Sequence, residues 1–220
     1  MAANVGVAAP AQAGRPNHGK KDKMLSQTSF DPKEPTIASR RIAILVADGF
    51  DLAQVTAVRS VLSSMGALTF IVGPRRSPVK SSSSGDKGLG ADFSWESGRS
   101  TLFDAVYVPG GTQAALTMRE SGRAIQWVRE AFHHCKPIAA SGEGVDFIHQ
   151  ACELPGIQLA INSSDTKPVV DKGVVTVGKF EAISEVKKFV GGKDFVSLFA
   201  TEISKHRCWD RSALAAKVPA

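Results

Sequence analysis

The chain of 220 residues has few of the features that cross-link a protein or anchor it in a membrane. Its three cysteines, Cys135, Cys152 and Cys208, are too few and too scattered for a disulfide framework or a zinc knuckle, and we interpret them as reduced thiols. It has no run of about 18 apolar residues and no apolar stretch behind basic residues at its N-terminus. We therefore expect no membrane partner and no signal peptide within this sequence, and the sequence indicates no localisation.

Positive charge is concentrated near the N-terminus rather than spread over the chain. The net charge is +6, and residues 1–41 hold seven Lys or Arg against three Asp or Glu, which leaves 20 against 18 for the remainder. A nearly neutral body does not favour a nucleic-acid partner. The cluster Lys20-Lys21-Asp22-Lys23 is interpreted as part of a solvated linker.

Composition divides the chain into three parts. Residues 1–40 are rich in Ala, Pro, Gly, Ser and Lys without a sustained apolar period, which predicts a flexible linker. Residues 41–207 are predicted to form one domain, and residues 208–220 a C-terminal tail.

Within the domain, short apolar runs alternate with helical periods. The predicted strands are residues 42–46, 68–72, 105–108, 137–140, 159–161 and 174–177. The predicted helices are residues 52–65, 121–134 (with Ser121 as the cap), 145–152, 180–190 and 194–206. The Ser- and Gly-rich stretch 77–100 is predicted to be a loop or an edge hairpin. This alternation predicts an α/β fold, a doubly wound, mainly parallel sheet sandwiched by helices.

The most informative segment is residues 137–144, an apolar strand that enters a glycine-flanked turn and opens a helix. α/β enzymes place their nucleophile at the tip of such an elbow, but here the tip is Gly142, which has no side chain. Ser141 lacks the glycine two residues earlier that a serine elbow requires, so we interpret it as a structural hydroxyl. Glu143 lies where a helix N-terminus favours a carboxylate, and we expect capping rather than catalysis.

Taken with the motifs Val108-Pro109-Gly110-Gly111 and Ala47-Asp48-Gly49-Phe50-Asp51, the elbow makes residues 41 to about 205 resemble the PfpI/ThiJ group of the class I glutamine amidotransferase-like superfamily. The resemblance implies a flavodoxin-like fold with a cysteine at the elbow, a supporting glutamate, a histidine from a later strand and an oxyanion hole at a Gly-Gly turn. On this chain those positions correspond to Gly142, to Gln54, to a position near Asn162 or Ser163, and to the retained Gly110-Gly111. The chemical roles of the thiol and the carboxyl are absent, so we predict a vestigial, non-catalytic site.

A second resemblance covers nearly the whole chain. The start Ala2-Ala3-Asn4-Val5-Gly6-Val7, the polar linker, the elbow Gly142-Glu143-Gly144 and the ending from Phe195 through Asp210 resemble the C-terminal extension of large-subunit haem catalases of fungi and some bacteria. The resemblance implies that the haem and its axial tyrosine belong to a preceding catalase body that decomposes hydrogen peroxide as a tetramer. The single tyrosine here, Tyr107, lies in an apolar strand and is expected in the core, so we expect no cofactor in this chain.

Three hypotheses for function follow. The first is a non-catalytic accessory domain whose partners are further copies and the catalase body, and a holdase activity toward unfolded proteins is an additional hypothesis for it. The second is a hydrolase or glyoxalase-like enzyme with a displaced nucleophile such as Ser141, Glu143 or Cys135. The third is a module that binds a small ligand in a pocket formed by Gly110, Gly111, Gly142 and Gln54. No metal site is predicted, because adjacent helical residues such as His133-His134-Cys135 point about 100° apart and do not converge on one ion.

Overall fold

A computed structural model describes residues 35–83, 85, 87–181 and 192–218. Within them, seven strands form one sheet in the order β3-β2-β1-β4-β5-β7-β6. The strands are β1 (Arg41–Leu45), β2 (Leu68–Gly73), β3 (Phe93–Ser94), β4 (Ala105–Val108), β5 (Ile138–Ser141), β6 (Val169–Asp171) and β7 (Val174–Val177). All neighbours pair in parallel except β6, which runs antiparallel to β7. The predicted mainly parallel α/β fold is confirmed.

The helices described are α1 (Leu52–Ser64), α2 (Thr112–Glu120), α3 (Gly122–His133), α4 (Glu143–Cys152), α5 (Phe195–Ser204) and α6 (Ser212–Ala215). Three of them are capped by the side chain of their own N-cap residue. Asp51 accepts a hydrogen bond from the first turn of α1, Ser121 does so for α3 as predicted, and Asp194 does so for α5. Helices α2, α3 and α4 contact one another, and α1 contacts α5, as expected when helices cover both faces of a sheet.

The centre of the sheet is apolar on both faces, because β4, β5 and β7 are buried at every position. Their register pairs Val108 with Ala140, and Ala140 with Thr176. The carboxyl ends of these parallel strands therefore meet at one edge. That edge carries the loop after β1, the glycine turn (Gly110 and Gly111) after β4, and the elbow (residues 141–143) after β5.

Several predicted elements differ from the structure. The predicted strand 159–161 is wrong: the N–H of Ala160 donates to Oγ1 of Thr176 at 2.8 Å, and β6 is the strand that pairs with β7. Helix α2 was not predicted, and α4 begins at Glu143, two residues earlier than expected. In the stretch 77–100, β3 pairs in parallel with β2 rather than forming a hairpin with it. Most of the predicted helix 180–190 lies outside the described residues.

The C-terminal segment is joined to the body by Arg211, whose side chain is fully buried. Its guanidinium donates to the carbonyl oxygens of Ala131 and Phe132 at 3.3 Å, of Lys172 at 2.8 Å, and of Lys136. This arrangement satisfies carbonyl groups at the end of α3, which a helix leaves without internal partners. At the other boundary, Ile37 is also buried in the core, four residues before the first strand.

Candidate functional site

The elbow has the backbone conformation of a nucleophile turn without a nucleophile. Gly142 caps α4 with φ +54° and ψ −134°, a region that favours glycine. A Cβ atom at Gly142 would lie 3.4 Å from Cα of Gly110, 3.6 Å from Nε2 of Gln54 and 3.9 Å from the carbonyl oxygen of Gly178, which are ordinary contacts. The position therefore has space for a side chain, and the conformation rather than crowding favours glycine here.

Ser141, the last residue of β5, is fully buried and its hydroxyl has two partners. It donates to Oε1 of Gln54 at 2.6 Å, and it lies 2.8 Å from the hydroxyl of Tyr107, which must then act as the donor. An amide oxygen does not take a proton as a catalytic base does. Burial raises the pKa of Tyr107 above its usual value, more than the hydrogen bond to Ser141 lowers it. These contacts support the interpretation of Ser141 as a structural hydroxyl.

Gln54 links the first turn of α1 to the glycine turn. Its Oε1 also accepts the N–H of Gly110 at 2.9 Å, and its Nε2 donates to Oδ2 of Asp51 at 3.0 Å. Asp51 in turn accepts the backbone N–H of Gln54 at 3.1 Å. One amide side chain thus binds the elbow strand, the glycine turn and the helix cap.

Glu143 connects α4 to the start of α2. Its Oε2 accepts the N–H of Gly111 at 2.9 Å, and its Oε1 accepts from Oγ1 of Thr112 at 3.3 Å. Burial raises the pKa of Glu143, but the bonds from Gly111, from its own backbone N–H and from Thr112 outweigh burial, so the pKa lies below its ordinary value. The carboxylate is ionised near neutral pH and caps the neighbouring helix, where a negative charge is favourable.

Both backbone amides of the glycine turn are therefore engaged by side chains of the same chain. A Cβ atom at Gly110 would lie 2.8 Å from Nε2 of Gln54 and 2.9 Å from Oε2 of Glu143, so these side chains fill the space beside the turn. Gly111 has φ +126°, and a Cβ there would lie 2.3 Å from the carbonyl oxygen of Gly49, so only glycine fits. An oxyanion would have to displace Gln54 and Glu143 to reach these donors.

The remaining candidates lie apart from this network. Asn162 is exposed, and its Oδ1 accepts from the backbone N–H and the hydroxyl of Ser164 in its own turn. The neighbouring Ser163 is exposed too. Cys135 lies three residues before β5, at the opposite end of the sheet from the elbow. No side chain at these three positions takes the place of the histidine that the resemblance implies.

All three thiols are free and buried. Burial raises the pKa of Cys152, and it raises the pKa of Cys208 to about 12. In the described part of the chain, no three His, Cys, Asp or Glu side chains lie close enough together to hold a metal ion. None of the helices described there is long and apolar enough to cross a bilayer.

Sequence reasoning missed three partners in the network, namely Asp51, Thr112 and the hydroxyl of Tyr107. Tyr107 was predicted in the core and is fully buried, but its bond to Ser141 depends on the pairing of β4 with β5. The role of Asp51 could have been predicted from the sequence, because an Asp directly before the apolar period of α1 is a typical N-cap pattern.

Solved structures with similar backbones support the fold alone. Oxidised DJ-1 of Toxoplasma gondii aligns with a TM-score of 0.59 and 16% identity over 81% of this chain and 95% of that one. A ThiJ/PfpI family protein of Pseudomonas syringae aligns with a TM-score of 0.59 and 17% identity over 91% of this chain and 79% of that one. The flavodoxin-like expectation is thus confirmed at the level of architecture.

Sequence comparison gives the family. Catalase-1 of Neurospora crassa is 41% identical over 214 residues, or 96% of this chain and 28% of that protein. Catalase A of Aspergillus fumigatus is 40% identical over 96% of this chain and 29% of its own length, and Catalase HPII of Pseudomonas aeruginosa is 30% identical over 100% and 27%. The chain spans less than a third of the length of these relatives. Residues 38–213 match the family described as the C-terminal domain found in long catalases, and the chain belongs to that family.

Proposed function

We propose that this chain is a non-catalytic accessory domain of a large haem catalase, which decomposes hydrogen peroxide, and that it contributes subunit contacts and stability. Its partners are the catalase body and further copies of the same subunit. The observation that carries the proposal is the engagement of both amides of the glycine turn, Gly110 by Gln54 and Gly111 by Glu143. A hydrolase of this architecture needs those donors free for its oxyanion.

The chemistry of the elbow points the same way. Gly142 supplies no nucleophile, and the hydroxyl of Ser141 donates to an amide oxygen instead of a base. Glu143, a second hydrolase candidate, uses both carboxylate oxygens to bind Gly111 and Thr112 at the start of α2, and the third, Cys135, lies at the opposite end of the sheet. The filled space beside Gly110 likewise disfavours the small-ligand pocket at this edge.

Haem does not fit the residues of this chain in the catalase manner. Tyr107, the single tyrosine, is fully buried, and its hydroxyl donates to Ser141. A tyrosinate ligand would require exposure of this oxygen to a cofactor and loss of that bond. Peroxide chemistry is therefore assigned to the catalase body.

The test uses a long catalase that carries this chain, compared with the same protein truncated before residue 35 of this numbering. We expect peroxide turnover per haem to be retained at low temperature, while the thermal midpoint falls and the assembly dissociates at lower protein concentration. Loss of turnover in a truncated protein that stays assembled would contradict a non-catalytic role. Unchanged stability and assembly would contradict the structural role.

A second candidate function, a holdase activity, is favoured by exposed apolar side chains. Trp209 is 70% exposed, and five aliphatic side chains are also exposed, namely Leu68, Leu102, Leu116, Ile161 and Val170. The purified chain is added to a heat-aggregating client, with an equal mass of an inert protein as control. Lower light scattering with this chain supports the activity, and equal scattering in both samples removes it.

A further inference from the structure

A cavity of about 460 Å³ lies at the amino-terminal end of the sheet, opposite the elbow. It is lined by Thr101, His133, His134, Cys135, Lys136, Arg207 and Trp209. This volume is in the range of small-molecule sites. The lining includes two cationic side chains, Lys136 and Arg207, and two histidines, and it includes no carboxylate.

Lys136 is a buried cation without a paired carboxylate. The residue is 2% exposed, and its ammonium donates to the carbonyl oxygen of Ser100 at 2.5 Å. In the described residues no Asp or Glu oxygen lies within ion-pair distance of Nζ. Two of its three N–H groups are thus left for another acceptor. A buried charge is normally paired with a group of opposite charge.

Two acidic groups, Glu130 and Asp104, act electrostatically on Lys136, but both have other partners. Glu130 accepts the hydroxyl of Ser100 at 2.6 Å. Asp104 accepts the backbone N–H of Arg41 at 2.9 Å, and it lies 3.6 Å from the Arg40 guanidinium. Neither of them supplies the missing charge at ion-pair distance.

The carbonyl groups at the C-terminus of α3 carry partial negative charge, but they do not neutralise the ammonium of Lys136 either. The buried guanidinium of Arg211 already donates to the carbonyl oxygens of Ala131 and Phe132. Arg207 adds a second positive charge to the cavity lining. Burial, and next the charge of Arg207, lower the pKa of Lys136 to about 8, so the ammonium is still mainly protonated at pH 7.

The cavity also has an apolar wall that faces solvent. Trp209 lines it and is 70% exposed, which is unusual for a side chain with so large an apolar area. Leu102, next to the lining residue Thr101, is 47% exposed. An indole surface can stack against a flat apolar group. The interaction free energy is most favourable when the stacked faces are removed from water.

We propose that this cavity binds a small carboxylate that carries a flat apolar group. The carboxylate pairs with the ammonium of Lys136 and the guanidinium of Arg207, and the flat group lies on the indole of Trp209. A carboxylate is favoured over a phosphate dianion, because the site offers two side-chain cations instead of the cluster of backbone N–H groups that binds phosphate at helix N-termini. The inference is independent of the proposed catalase role.

The test is a calorimetric titration of the 220-residue chain with benzoate, accompanied by tryptophan fluorescence. Benzamide serves as the neutral isostere, acetate as a carboxylate without a ring, and phosphate as a different anion. We expect saturable binding of benzoate, weaker binding of acetate and no binding of benzamide. Benzoate should also raise the unfolding temperature by mass action.

Two variants and a control locate the site. Lys136→Met should weaken benzoate binding about ten- to hundredfold, the range for a hydrogen bond to a charged group. Trp209→Ala changes an exposed side chain that the core does not need, and it should weaken binding about two- to tenfold. Lys179→Met removes the same charge from an exposed residue beyond the carboxyl end of β7 and should change nothing.

Four results would overturn the proposal: no saturable benzoate binding, equal affinity for benzoate and benzamide, tighter binding of phosphate than of benzoate, or unchanged affinity in both Lys136→Met and Trp209→Ala. The unfolding temperature of each variant shows whether a loss of binding reflects a loss of fold. The exposed Trp209 variant gives a decisive result even where Lys136→Met destabilises the chain.

Discussion

The hydroxyl of Ser141 donates a 2.6 Å hydrogen bond to Oε1 of Gln54, and the same oxygen accepts the N–H of Gly110 at 2.9 Å. The side chain that stands where the resembled family has a glutamate thus holds together the strand end and the glycine turn. Its amide nitrogen binds Asp51, a contact that a carboxylate could not make when ionised. The surroundings of Gln54 therefore fit an amide better than a carboxylate, because Asp51 offers an acceptor to its nitrogen.

Gln54→Glu tests this match. The new carboxylate would face Oδ2 of Asp51, which now accepts from Nε2 at 3.0 Å, so we expect a loss of about 1–2 kcal/mol in unfolding free energy at pH 7. Repulsion raises the pKa of one carboxyl, so the loss should shrink as the pH falls and that group binds a proton. Urea unfolding of variant and wild type at several pH values measures the difference.

The matched control is Gln113→Glu, which adds the same charge in the first turn of α2 at an exposed position. A negative charge is favourable at a helix N-terminus, so this variant should not be destabilised. Equal stability of Gln54→Glu and wild type at pH 7 would contradict the role given to the amide.

Gly142→Cys places a thiol at the tip of the elbow. Its Cβ would meet its nearest neighbours at 3.4–3.9 Å, so the variant should fold, with a loss of about 1–3 kcal/mol for a non-glycine residue in this backbone region. A thiol reagent should label one cysteine faster than the three buried ones. Ester hydrolysis should stay at background, because Gly110 and Gly111 remain engaged.

Gly142→Ala carries the same backbone strain without a thiol and separates conformational cost from reactivity. The two variants should lose similar stability, and only the cysteine variant should gain a labelled site. Measurable ester turnover in Gly142→Cys alone would show that the turn still serves an oxyanion.

Glu143→Gln removes the charge that caps α2. We expect a loss of about 1 kcal/mol at pH 7, since the amide oxygen still accepts from Gly111 but without the charge. The folded-state pKa of Glu143 is lowered, so its contribution is present above the ordinary value of 4.5 and is lost as the pH falls through the folded value. The gap between wild type and variant should therefore close in acid.

Thermal unfolding from pH 7 down to pH 3 measures the stability difference between wild type and Glu143→Gln. Glu96→Gln is the control, since Glu96 forms an ion pair with Arg123 in which both side chains are more than half exposed, and its loss should be near zero. A gap that stays constant with pH would show that the carboxylate of Glu143 is not the group involved.

Lys136→Met should change the alkaline limb of the stability curve. In the folded chain the pKa of Lys136 is lowered from 10.5 to about 8, so between these values the unfolded chain binds one more proton than the folded one. This group therefore contributes a term to wild-type stability that rises with pH over this window, whereas the buried thiols of Cys152 and Cys208, whose pKa values are raised, contribute in the opposite direction in every variant. Lys136→Met should lack the rising contribution of the ammonium, so the stability difference between wild type and variant should change in favour of wild type as the pH increases from 8 to 10.5.

Denaturant unfolding between pH 7 and pH 10.5 measures this difference, with Lys179→Met as the control at an exposed position. Tyr107, whose pKa is raised by burial, acts in the opposite direction at higher pH and is common to all three proteins. Parallel curves for wild type and Lys136→Met would contradict an uncompensated ammonium.

The sheet was predictable because its central strands are short runs of apolar residues between turn signals, as in 105–108 and 174–177. Residues 159–161 carry the same local signal, yet Ala160 bonds to a side chain of β7 and forms no ladder. Residues 169–171 form the edge strand instead, through pairing that local pattern does not encode. Helix α2 has only nine residues and begins directly after the glycine turn, which concealed its start.

At the site, the sequence indicated the glycine tip and the exchange of glutamate for glutamine, since both follow from motif spacing. The occupation of the glycine turn was not predictable. It requires Gln54 and Gly110, which are 56 residues apart, and Gly111 and Glu143, which are 32 apart, to meet at one edge. Strand order and register, which are properties of the folded sheet, determine whether residues so far apart in the sequence meet in space.

The burial of Cys135, Cys152 and Cys208 has a chemical consequence for a domain proposed to work beside a peroxide-consuming centre. Oxidation to sulfenic and higher acids begins from an accessible thiolate, and burial keeps Cys152 and Cys208 in the protonated state at physiological pH. With glycine at the elbow, the folded body offers the oxidant no exposed sulfhydryl to consume. Burial should therefore slow the oxidation of these cysteines for as long as the domain stays folded.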